Sequence, residues 1–470
     1  MIALSLREIA HAVDGELLLP SPGPSDDRLV SGLSHTDSRE VMPGDIFFAK
    51  PGEVTDGHLF APQAVQNGAA LLIVDHRLEH DVPQIVVADT VLALGALATE
   101  VVSRVRALGR LKIVAVTGSN GKTTTKNLLR AILERVGPTV APQASFNNEV
   151  GAPLTMLQLT EDTAFLVAEM GASRIGEIAR LIRMARPDVG IVLKVGLAHA
   201  GEFGGIESTL VAKTEMVSDL LDTDTAVLNI DDARVASMAD KTAASVLFFG
   251  LDDRADVRAT DVRSTSRGTT FTLHLPTGES SPVVFGVLGE HHVMNALAAA
   301  SAAHRLGVPL EQIVAGIESV HRAERWRMEV LGGANGVTII NDAYNASPDS
   351  MAAALKTLAQ IVEPGGRSVA VLGEMSELGE FSGEEHDRIG LLAVRLNIAR
   401  IVVVGAAARR MHISMINEGS WDGESVYADT PEQAFEYLSN ALKPGDTVLV
   451  KSSNSAGLRF LGDRLGELFS

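Results

Sequence analysis

The sequence contains no cysteine, and its acidic side chains outnumber its basic ones. The missing cysteines exclude disulfide bonds, thiolate zinc sites and cysteine nucleophiles, and they fit a reducing cytoplasm. The formal net charge of -19 opposes non-specific binding to nucleic acid, because that binding depends on lysine and arginine neutralising phosphates. We therefore expect no nucleic-acid partner, and an anionic substrate has to be bound by a local basic or metal-bearing site.

Long apolar runs are also missing. Although 46% of the residues are apolar, no uncharged apolar segment approaches the roughly 18 residues that a membrane helix needs. The first residues alternate apolar and charged side chains at helical spacing, which is not the pattern of a signal peptide. We expect a cytoplasmic protein without membrane insertion, and its 470 residues predict roughly three domains.

The order of apolar and turn-forming segments predicts an α/β protein of three domains. Residues 1–109 read as a small α/β domain, in which short apolar runs alternate with glycine and proline turns. Residues 110–322 read as a P-loop-type, mostly parallel sheet with helices on both faces, and antiparallel ribbons follow from Val257 to Val287. Residues 323–470 read as a Rossmann-like α/β domain, because strands and helices alternate again from Trp326.

The stretch VAVTGSNGKTTTK, residues 114–126, predicts a phosphate-binding loop. A strand leads into a glycine-bearing turn, a lysine, a threonine hydroxyl and a helix N-terminus, which together suit phosphate and magnesium. The usual pattern has a glycine where this chain has Val116, and we expect Gly118 to make the turn instead. The alternative is a glycine-rich strand-to-helix turn with an exposed lysine. The residues expected to contact ATP are Thr117, Gly118, Ser119, Asn120, Gly121, Lys122, Thr123 and Thr124.

Three side chains farther along the chain are candidates for the same site. Glu169 follows a buried strand, where it is either a magnesium ligand beside the phosphate loop or a solvated strand-end residue. His199 also follows a strand, and a lone histidine there is more often structural or exposed than a ligand. Lys213 lies on an amphipathic helix, where a lysine ordinarily faces solvent.

The shortened loop Thr-Gly-Ser-Asn-Gly-Lys-Thr-Thr resembles the ATP-binding loop of the Mur ligase superfamily. This superfamily builds the peptide of bacterial peptidoglycan and includes folylpolyglutamate synthase. The resemblance implies ATP and two Mg²⁺ ions as cofactors, with Lys213 carrying a carbamate that turns a cation into a metal-binding carboxylate. It gives a catalytic role to Lys122, Glu169, His199 and Lys213, and it makes metal ligands of Thr123, Glu169, His199 and Lys213.

The same resemblance adds nucleotide contacts from later segments. Asn295, in GEHHVMNALAAA, is implied as a contact near the adenine, although an asparagine in an alanine-rich helix equally caps it or faces solvent. ERWRMEV supplies Arg325 and Arg327, and INDAYNASPDS supplies Asp342. Superfamily members use an arginine and an aspartate at these points to hold ATP, which implies Arg325 and Asp342; Asp342 is otherwise an ordinary turn residue.

The outer domains carry the resemblance toward one branch of the superfamily. HTDSREVMPGDIFFAKPGEVTDGHLF resembles the UDP-muramyl-binding stretch of E-type and F-type Mur ligases, which implies that Ser38 and Arg39 approach the uracil and diphosphate. ASFNNEVGAPLTML, NDAYNASPDSM and VLGEMSELGEFSGEEH resemble F-type segments, and the Asp-Asn-Pro-Arg sequence usual in E-type enzymes is missing. The further substrate contacts implied are Asn147, Asn148, Thr155, Tyr344, Asn345 and Lys451.

Together these motifs span residues from about 34 to 454 and imply an ATP-dependent amide ligase of cytoplasmic peptidoglycan precursor synthesis. It would join D-alanyl-D-alanine to UDP-N-acetylmuramoyl-tripeptide through an acyl phosphate, acting as a monomer and closing its domains around hinges near residues 109 and 323. One departure is Asn454, where the family often has an arginine. The alternatives are a superfamily ligase that adds one amino acid, or glutamate to a folate, and a non-catalytic nucleotide-switched binding protein.

Overall fold

The computed structural model describes residues 1–52, 55–197, 205–266, 268–321, 324–418 and 425–470. Within them the chain forms sheets of five, nine and six strands in three successive segments, together with one two-stranded ribbon. Helices alternate with the strands in each segment, which confirms the predicted α/β class. Among the described residues, every helix is too short or too polar to span a lipid bilayer.

The first segment is a small α/β unit. Its strands are β1 (Leu4–Ser5), β2 (Glu16–Leu18), β3 (Leu29–Val30), β4 (Ser34–His35), β5 (Ile46–Phe48), β6 (Leu71–Val74) and β7 (Gln84–Val86). Its helices are Leu6–Ala12, Ala61–Gln66 and Thr90–Ala107. The five-stranded sheet has the order β2-β7-β6-β5-β4, parallel except for β2, while β1 pairs with β3.

The central segment contains the nine-stranded sheet. Its strands are β8 (Lys112–Thr117), β9 (Thr139–Val140), β10 (Phe165–Glu169), β11 (Val189–Val192), β12 (Thr225–Asn229), β13 (Ser245–Gly250), β14 (Val257–Thr265), β15 (Gly268–His274) and β16 (Ser280–Phe285). Its helices are Lys122–Leu133, Gly151–Met156, Glu177–Ala185, Ile206–Ser218, Ala233–Ala236, Glu290–Arg305 and Leu310–Ser319. The order is β16-β15-β14-β13-β12-β11-β8-β10-β9, and only β14 to β16 pair antiparallel, as the residues from Val257 to Val287 predicted.

Alternating apolar residues of the central strands bury both faces of this sheet. In β8, Ile113 and Ala115 belong to one apolar core, whereas Val114 and Val116 belong to another, because successive side chains of a strand point to opposite faces. The first face is covered by the helices Thr90–Ala107, Glu177–Ala185 and Ile206–Ser218. The second is covered by Lys122–Leu133, Glu290–Arg305 and Leu310–Ser319. The near-continuous apolar runs of the parallel strands follow from this double coverage.

The third segment is a second layered α/β unit. Its strands are β17 (Glu329–Gly332), β18 (Thr338–Asn341), β19 (Arg367–Leu372), β20 (Arg400–Val404), β21 (Ser425–Ala428) and β22 (Asp446–Lys451). Its helices are Pro348–Ile361, Ser382–Arg395, Arg409–Asn417, Pro431–Ala441 and Leu458–Leu468. The sheet order is β17-β18-β22-β19-β20-β21, with only β17 antiparallel, and separate apolar cores cover its two faces.

The first two segments share one apolar core. Asp89 caps the helix Thr90–Ala107 by accepting hydrogen bonds from the N–H groups of Val91 and Leu92. One side of this helix packs with Ile73 and other residues of the small sheet, and the same core continues to Leu166 of the central sheet. We therefore expect the first two segments to move as one body, which leaves the junction near residue 323 as the expected hinge; residues 322–323 lie outside the described residues.

Candidate active site

A cavity of about 980 Å³ lies where the carboxyl ends of the central strands meet the third segment. β8 runs between β10 and β11, and all three strands are parallel. Their carboxyl ends therefore share one edge of the sheet, with Val116 of β8 directly opposite Glu169 of β10. The sequence-predicted residues that line the cavity are Gly118, Ser119, Asn120, Gly121, Lys122, Thr123, Thr124, Asn147, Asn148, Glu169, Lys213, Asn295, Asp342, Tyr344, Asn345 and Lys451.

The predicted phosphate loop forms a tight turn against the helix Glu290–Arg305. Gly121 has a left-handed backbone with φ +87°, and a Cβ atom there would lie 2.2 Å from Oδ1 of Asn295. Only glycine combines this dihedral with so close a neighbour, because other residues carry a Cβ atom and rarely adopt positive φ. Lys122 then begins the helix Lys122–Leu133 and donates to the carbonyl of Gly118, 2.7 Å away. The loop thus opens a helix N-terminus, where anions bind.

Oxygen atoms suited to a hard cation converge beside Lys122. Oγ1 of Thr123 lies 3.3 Å from Oε1 of Glu169 and 3.2 Å from Oγ of Ser145. Asn147 donates to the same Oε1 at 2.9 Å, while Oε2 of Glu169 is buried and has no hydrogen-bond partner among the described residues. A buried carboxylate oxygen without a partner is costly, so it indicates a missing cation or donor. Carboxylate and hydroxyl oxygens are the ligands that Mg²⁺ takes, and the site fits that ion.

Two lysine amines, of the buried Lys213 and the partly buried Lys122, face the cavity. Lys213 projects from the helix Ile206–Ser218 and is buried, contrary to the ordinary expectation for a lysine on an amphipathic helix. Burial, with a further contribution from the charge of Lys122, lowers the pKa of Lys213 to about 7. Burial likewise lowers the pKa of Lys122, against the opposing charge of Glu169. His199, the remaining candidate of this group, lies outside the described residues.

The helix Glu290–Arg305 contributes neutral polar groups to the cavity. Nδ2 of Asn295 is 3.2 Å from Nδ1 of His292, whose Nε2 is buried without a partner among the described residues. Burial lowers the pKa of His291 to about 4 and that of His292 well below its usual range. Both imidazoles are therefore uncharged near neutral pH, and they offer hydrogen bonds to a ligand without adding charge.

The third segment places a different arginine at the cavity from the one predicted. Arg325 does not line the cavity; its guanidinium is exposed and donates to Asp463 at 3.0 Å. Arg327 lines it instead, with its guanidinium 4.3 Å from the ring centre of Tyr344. Both arginines lie in the turn before β17, where the backbone of Trp326, between them, adopts a positive φ of 63° instead of an extended conformation.

Asp342 and Lys451 line the cavity as a pair. Nζ of Lys451 donates to Oδ2 of Asp342 at 2.6 Å and to the carbonyl of Asn345 at 3.0 Å, and both charged side chains are largely buried. The other carboxylate oxygen of Asp342 accepts from the N–H of Met328 at 3.0 Å. The ion pair of Asp342 and Lys451 therefore stabilises the wall that the third segment contributes to the cavity. Both side chains also face the cavity, where a ligand can contact them.

Four other predicted contacts do not line this cavity. Oγ1 of Thr117, at the end of β8, donates to the carbonyl of Met170 at 2.7 Å. Oγ1 of Thr155 donates to the carbonyl of Gly151 inside its own short helix, at 3.1 Å, which is an ordinary structural bond for a buried threonine. Ser38 is buried and Arg39 is exposed and paired with Asp37, both on a helical turn of the first segment. The predicted role of these two residues with a uridine diphosphate stays a prediction.

Contacts between the central and third segments close one side of the cavity. Ser347 donates to Oδ1 of Asn120 in the phosphate loop at 3.1 Å, and Lys194 forms a 3.1 Å ion pair with Asp349. Sequence reasoning missed Lys194, Asp349 and Ser145, which also line the cavity. For Lys194 and Asp349 the available signal was a position just after a strand and at a helix start, where parallel sheets place their sites; Ser145 lies in the connection between β9 and the helix Gly151–Met156 and had no such signal.

Asn454, the departure noted in the sequence, follows β22 outside the cavity lining. Its backbone carbonyl accepts a hydrogen bond from Arg459 at 2.9 Å, and its side-chain oxygen contacts the same guanidinium. An arginine head group therefore reaches this position from the next helix.

Comparisons with known proteins point in one direction. Three family models match: "Mur ligase family, catalytic domain" at residues 33–112, "Mur ligase middle domain" at 116–303 and "Mur ligase, glutamate ligase domain" at 326–454. The chain is 40% identical to the UDP-N-acetylmuramoyl-tripeptide--D-alanyl-D-alanine ligase of Mycobacterium leprae, covering 99% of this chain and 98% of the relative. It is 35% identical to the ligase of that name from Escherichia coli, with 97% of each chain covered.

Solved structures show the same likeness in three dimensions. MurF from Acinetobacter baumannii superposes with a TM-score of 0.89 at 33% identity, covering 99% of both chains. MurF from Thermotoga maritima, solved in complex with ADP, superposes with a TM-score of 0.81 at 28% identity, covering 93% of this chain and 98% of the other.

Proposed function

The chain belongs to the Mur ligase family, and from that membership we propose that it joins D-alanyl-D-alanine to UDP-N-acetylmuramoyl-tripeptide at the expense of ATP. The observation that carries this function is the similarity to D-alanyl-D-alanine-adding ligases over 99% of the chain, outer domains included. The outer domains distinguish the substrates, because all members of the superfamily share the same kind of ATP-binding site. The product is a precursor for peptidoglycan synthesis and hence for cell-wall growth, cell shape and cell division.

The reaction takes place in two steps, formation of an acyl phosphate and formation of the amide bond. In the first, a carboxylate oxygen of the tripeptide attacks the γ-phosphorus of ATP, which forms an acyl phosphate and releases ADP. In the second, the amine of D-alanyl-D-alanine attacks the acyl carbon, loses a proton and expels inorganic phosphate as the amide bond forms. Negative charge gathers on oxygen atoms in both steps, so the enzyme has to present fixed positive groups to them.

The chain's own residues supply those positive groups at the phosphate loop. The backbone N–H groups around Gly121 and the N-terminus of the helix Lys122–Leu133 face the cavity. Lys122 adds an ammonium group that lines the cavity and interacts with the charge of Glu169. Arg327 and Asp342 enter from the third segment, where they suit the phosphates and the ribose. We assign the arginine role to Arg327, because Arg325 is engaged with Asp463.

We propose that Thr123 and Glu169 hold magnesium, with the orphaned Oε2 of Glu169 as a ligand. When bound, magnesium neutralises the phosphate oxygens and shields them from the incoming carboxylate. A second ion is proposed on the family resemblance, with His199 and Lys213 as its ligands. The position of Lys213 at the cavity supports its proposed ligand role, whereas the role of His199 rests on the resemblance alone, because His199 lies outside the described residues.

Lys213 is suited to carbamate formation. Its pKa of about 7 leaves a substantial fraction of neutral amine at neutral pH, and the neutral amine is the form that attacks CO₂. The nitrogen–carbon bond forms, one proton leaves, and a buried cation becomes a carboxylate in a cavity that already contains Lys122. Its burial beside the phosphate loop, in a cavity rather than at the surface, supports this role.

Substrate contacts outside the phosphate region are proposed from position. Asn147 and Asn148 line the cavity beside Glu169, which suits the peptide end of the muramyl substrate. Tyr344, Asn345 and Lys451 line it from the third segment, which suits the dipeptide. Ser38 and Arg39, on the first segment, are proposed at the uridine diphosphate. Because the substrates are intracellular metabolites, we propose a cytoplasmic enzyme, and light scattering tests the proposed monomer.

The deciding experiment measures ADP formation while each substrate is omitted in turn. We expect ADP release to require the muramyl tripeptide and to rise with D-alanyl-D-alanine, while single amino acids have no effect. Dependence on one amino acid would instead identify another ligase of the superfamily, and a folate requirement would identify a folylpolyglutamate synthase. Nucleotide binding without any ADP formation would identify a non-catalytic, nucleotide-switched protein.

A further inference from the structure

The carboxylate of Glu324 lies between the central segment and the third segment. Its Oε1 accepts a hydrogen bond from Nδ2 of Asn127 at 2.7 Å and lies 3.6 Å from Nζ of Lys126. Its Oε2 lies 3.4 Å from Nε of Arg327. Lys126 and Asn127 belong to the helix that begins at the phosphate loop, whereas Arg327 belongs to the entry into the third segment. One side chain therefore joins the phosphate-loop helix to the arginine at the cavity.

The buried ammonium group of Lys126 needs the negative charge of Glu324 close to it. Lys126 is fully buried, one helical turn after Lys122, and Nζ donates to the carbonyl of Pro142 at 2.8 Å. A buried ammonium without a counter-charge is costly, so an anion is required close to it. Glu324 is the acidic side chain that forms an ion pair with Lys126 among the described residues. The ammonium group of Lys126 therefore holds the carboxylate of Glu324 beside the phosphate-loop helix.

The segment that follows Glu324 holds Arg327 in an unusual backbone conformation. Trp326 and Met328, on either side of Arg327, have positive φ values of 63° and 52°. Such residues persist only where the surroundings hold them, and they concentrate at functional sites. The N–H of Arg327 donates to the carbonyl of Glu324 at 3.0 Å, which closes a turn between the two residues. Nε of Arg327 has no hydrogen-bond partner among the described residues, so the ion pair with Glu324 orients this edge of the guanidinium while its face stacks on Tyr344.

We propose that Glu324 is a positioning residue, which anchors Arg327 to the phosphate-loop helix so that the guanidinium meets the nucleotide phosphates. This inference rests on the proposed function for the identity of the nucleotide, and it adds a residue that neither motif nor cavity lining identifies. Glu324 contacts no substrate itself. The same carboxylate contacts Arg327, in the turn that begins the third segment, and Lys126 of the helix that follows the phosphate loop. Glu324 therefore links the position of this turn to the position of the phosphate loop.

A double-mutant cycle separates this role from a merely structural one. The variants are Glu324→Gln, Arg327→Ala and both together, and the measured quantity is the Kd of a non-hydrolysable ATP analogue with Mg²⁺, by calorimetry. Loss of one charge-assisted contact predicts that Glu324→Gln weakens binding about tenfold. If Glu324 acts through Arg327, the double variant binds no more weakly than Arg327→Ala, within about twofold. An unchanged Kd in Glu324→Gln overturns the proposal, as does an equal loss in both backgrounds.

Two further variants keep the test conclusive. Glu134→Gln makes the same chemical change in an exposed pair with Arg130 near the other end of the helix, and its Kd is expected to stay unchanged. Glu324→Asp keeps a negative charge near the buried Lys126 but shortens the reach of the carboxylate to both partners by one methylene group, so it covers the case in which Glu324→Gln does not fold. It is expected to weaken binding about threefold, and wild-type affinity in this variant would contradict the proposal. Nucleotide binding needs no ligation, so a failed ligase assay leaves this test unaffected.

Discussion

Replacing Gly121 by alanine tests whether the phosphate loop depends on its contact with Asn295. The alanine meets two penalties: a left-handed φ of +87° and a Cβ atom 2.2 Å from Oδ1 of Asn295. The dihedral costs about 1–2 kcal/mol of stability. The close contact is relieved only if the loop or the amide moves by about 1 Å, and a displacement of that size at a reacting group costs about 100-fold in rate.

Gly109 offers a matched control in the same chain. Its φ is +84°, almost the same as that of Gly121, but a Cβ atom there has no neighbour within 4 Å. Gly109→Ala is therefore expected to lose about 1–2 kcal/mol of unfolding free energy with unchanged turnover. Gly121→Ala is expected to lose a similar amount of stability and, in addition, about 100-fold in ATP-dependent turnover.

The assay combines ADP release under saturating substrates with denaturant unfolding of both variants. The comparison removes the dihedral penalty, since both positions share it, and leaves the contact with Asn295. If Gly121→Ala turns over ATP as fast as Gly109→Ala does, the loop tolerates the displacement and the reasoning about its geometry is refuted.

Four further predictions concern the charge, metal and core of the same protein. Lys213→Ala should lower turnover at least about 100-fold in the ADP assay. Turnover near that of the wild type would show that Lys213 has no role in the reaction. EDTA should abolish ADP release, and added Mg²⁺ should restore it; activity that persists in EDTA would exclude the magnesium proposal. Burial lowers the pKa of His291 to about 4 from 6.5, so the folded state binds fewer protons than the unfolded chain between these values. Wild-type stability relative to His291→Gln should therefore fall as the pH drops from 6.5 to 4, and a pH-independent difference in denaturant unfolding would contradict the cause. Leu97→Ala, in the fully buried core shared by the first two segments, should cost about 2–5 kcal/mol in one unfolding transition of both, which separate transitions would disprove.

Local patterns predicted the centre of the site well. The phosphate loop needs only a strand, a turn with glycine and a helix start, all within one short stretch around Gly121. Glu169 followed from the same reasoning, because parallel strands bring their carboxyl ends to one edge whatever their order. In the structure the strand ends at Thr117 and the helix begins at Lys122, on either side of the predicted turn.

Features that depend on distant parts of the chain were not predicted. Arg325 and Arg327 are two residues apart, but Arg325 pairs with the distant Asp463 whereas Arg327 lines the cavity and stacks on Tyr344. The ion pair of Asp342 with Lys451 joins residues more than one hundred positions apart, so it required the strand order of the third sheet. A fully buried lysine such as Lys126 has no signature in a sequence, since lysines on helices usually face solvent.

The apolar core that runs from the small sheet to the central sheet limits how this enzyme can be recombined. A chimera that exchanged residues 1–109 with those of another ligase would set a foreign helix against Leu166 and its neighbours, and each mismatched side chain would leave a void or a clash. Residues 1–109, which we propose bind the muramyl substrate, therefore have to be exchanged together with the central segment as one part. We expect a junction near residue 323 to disturb fewer buried side chains, because Leu288 is the one residue from outside the third segment, among those described, that belongs to its apolar cores.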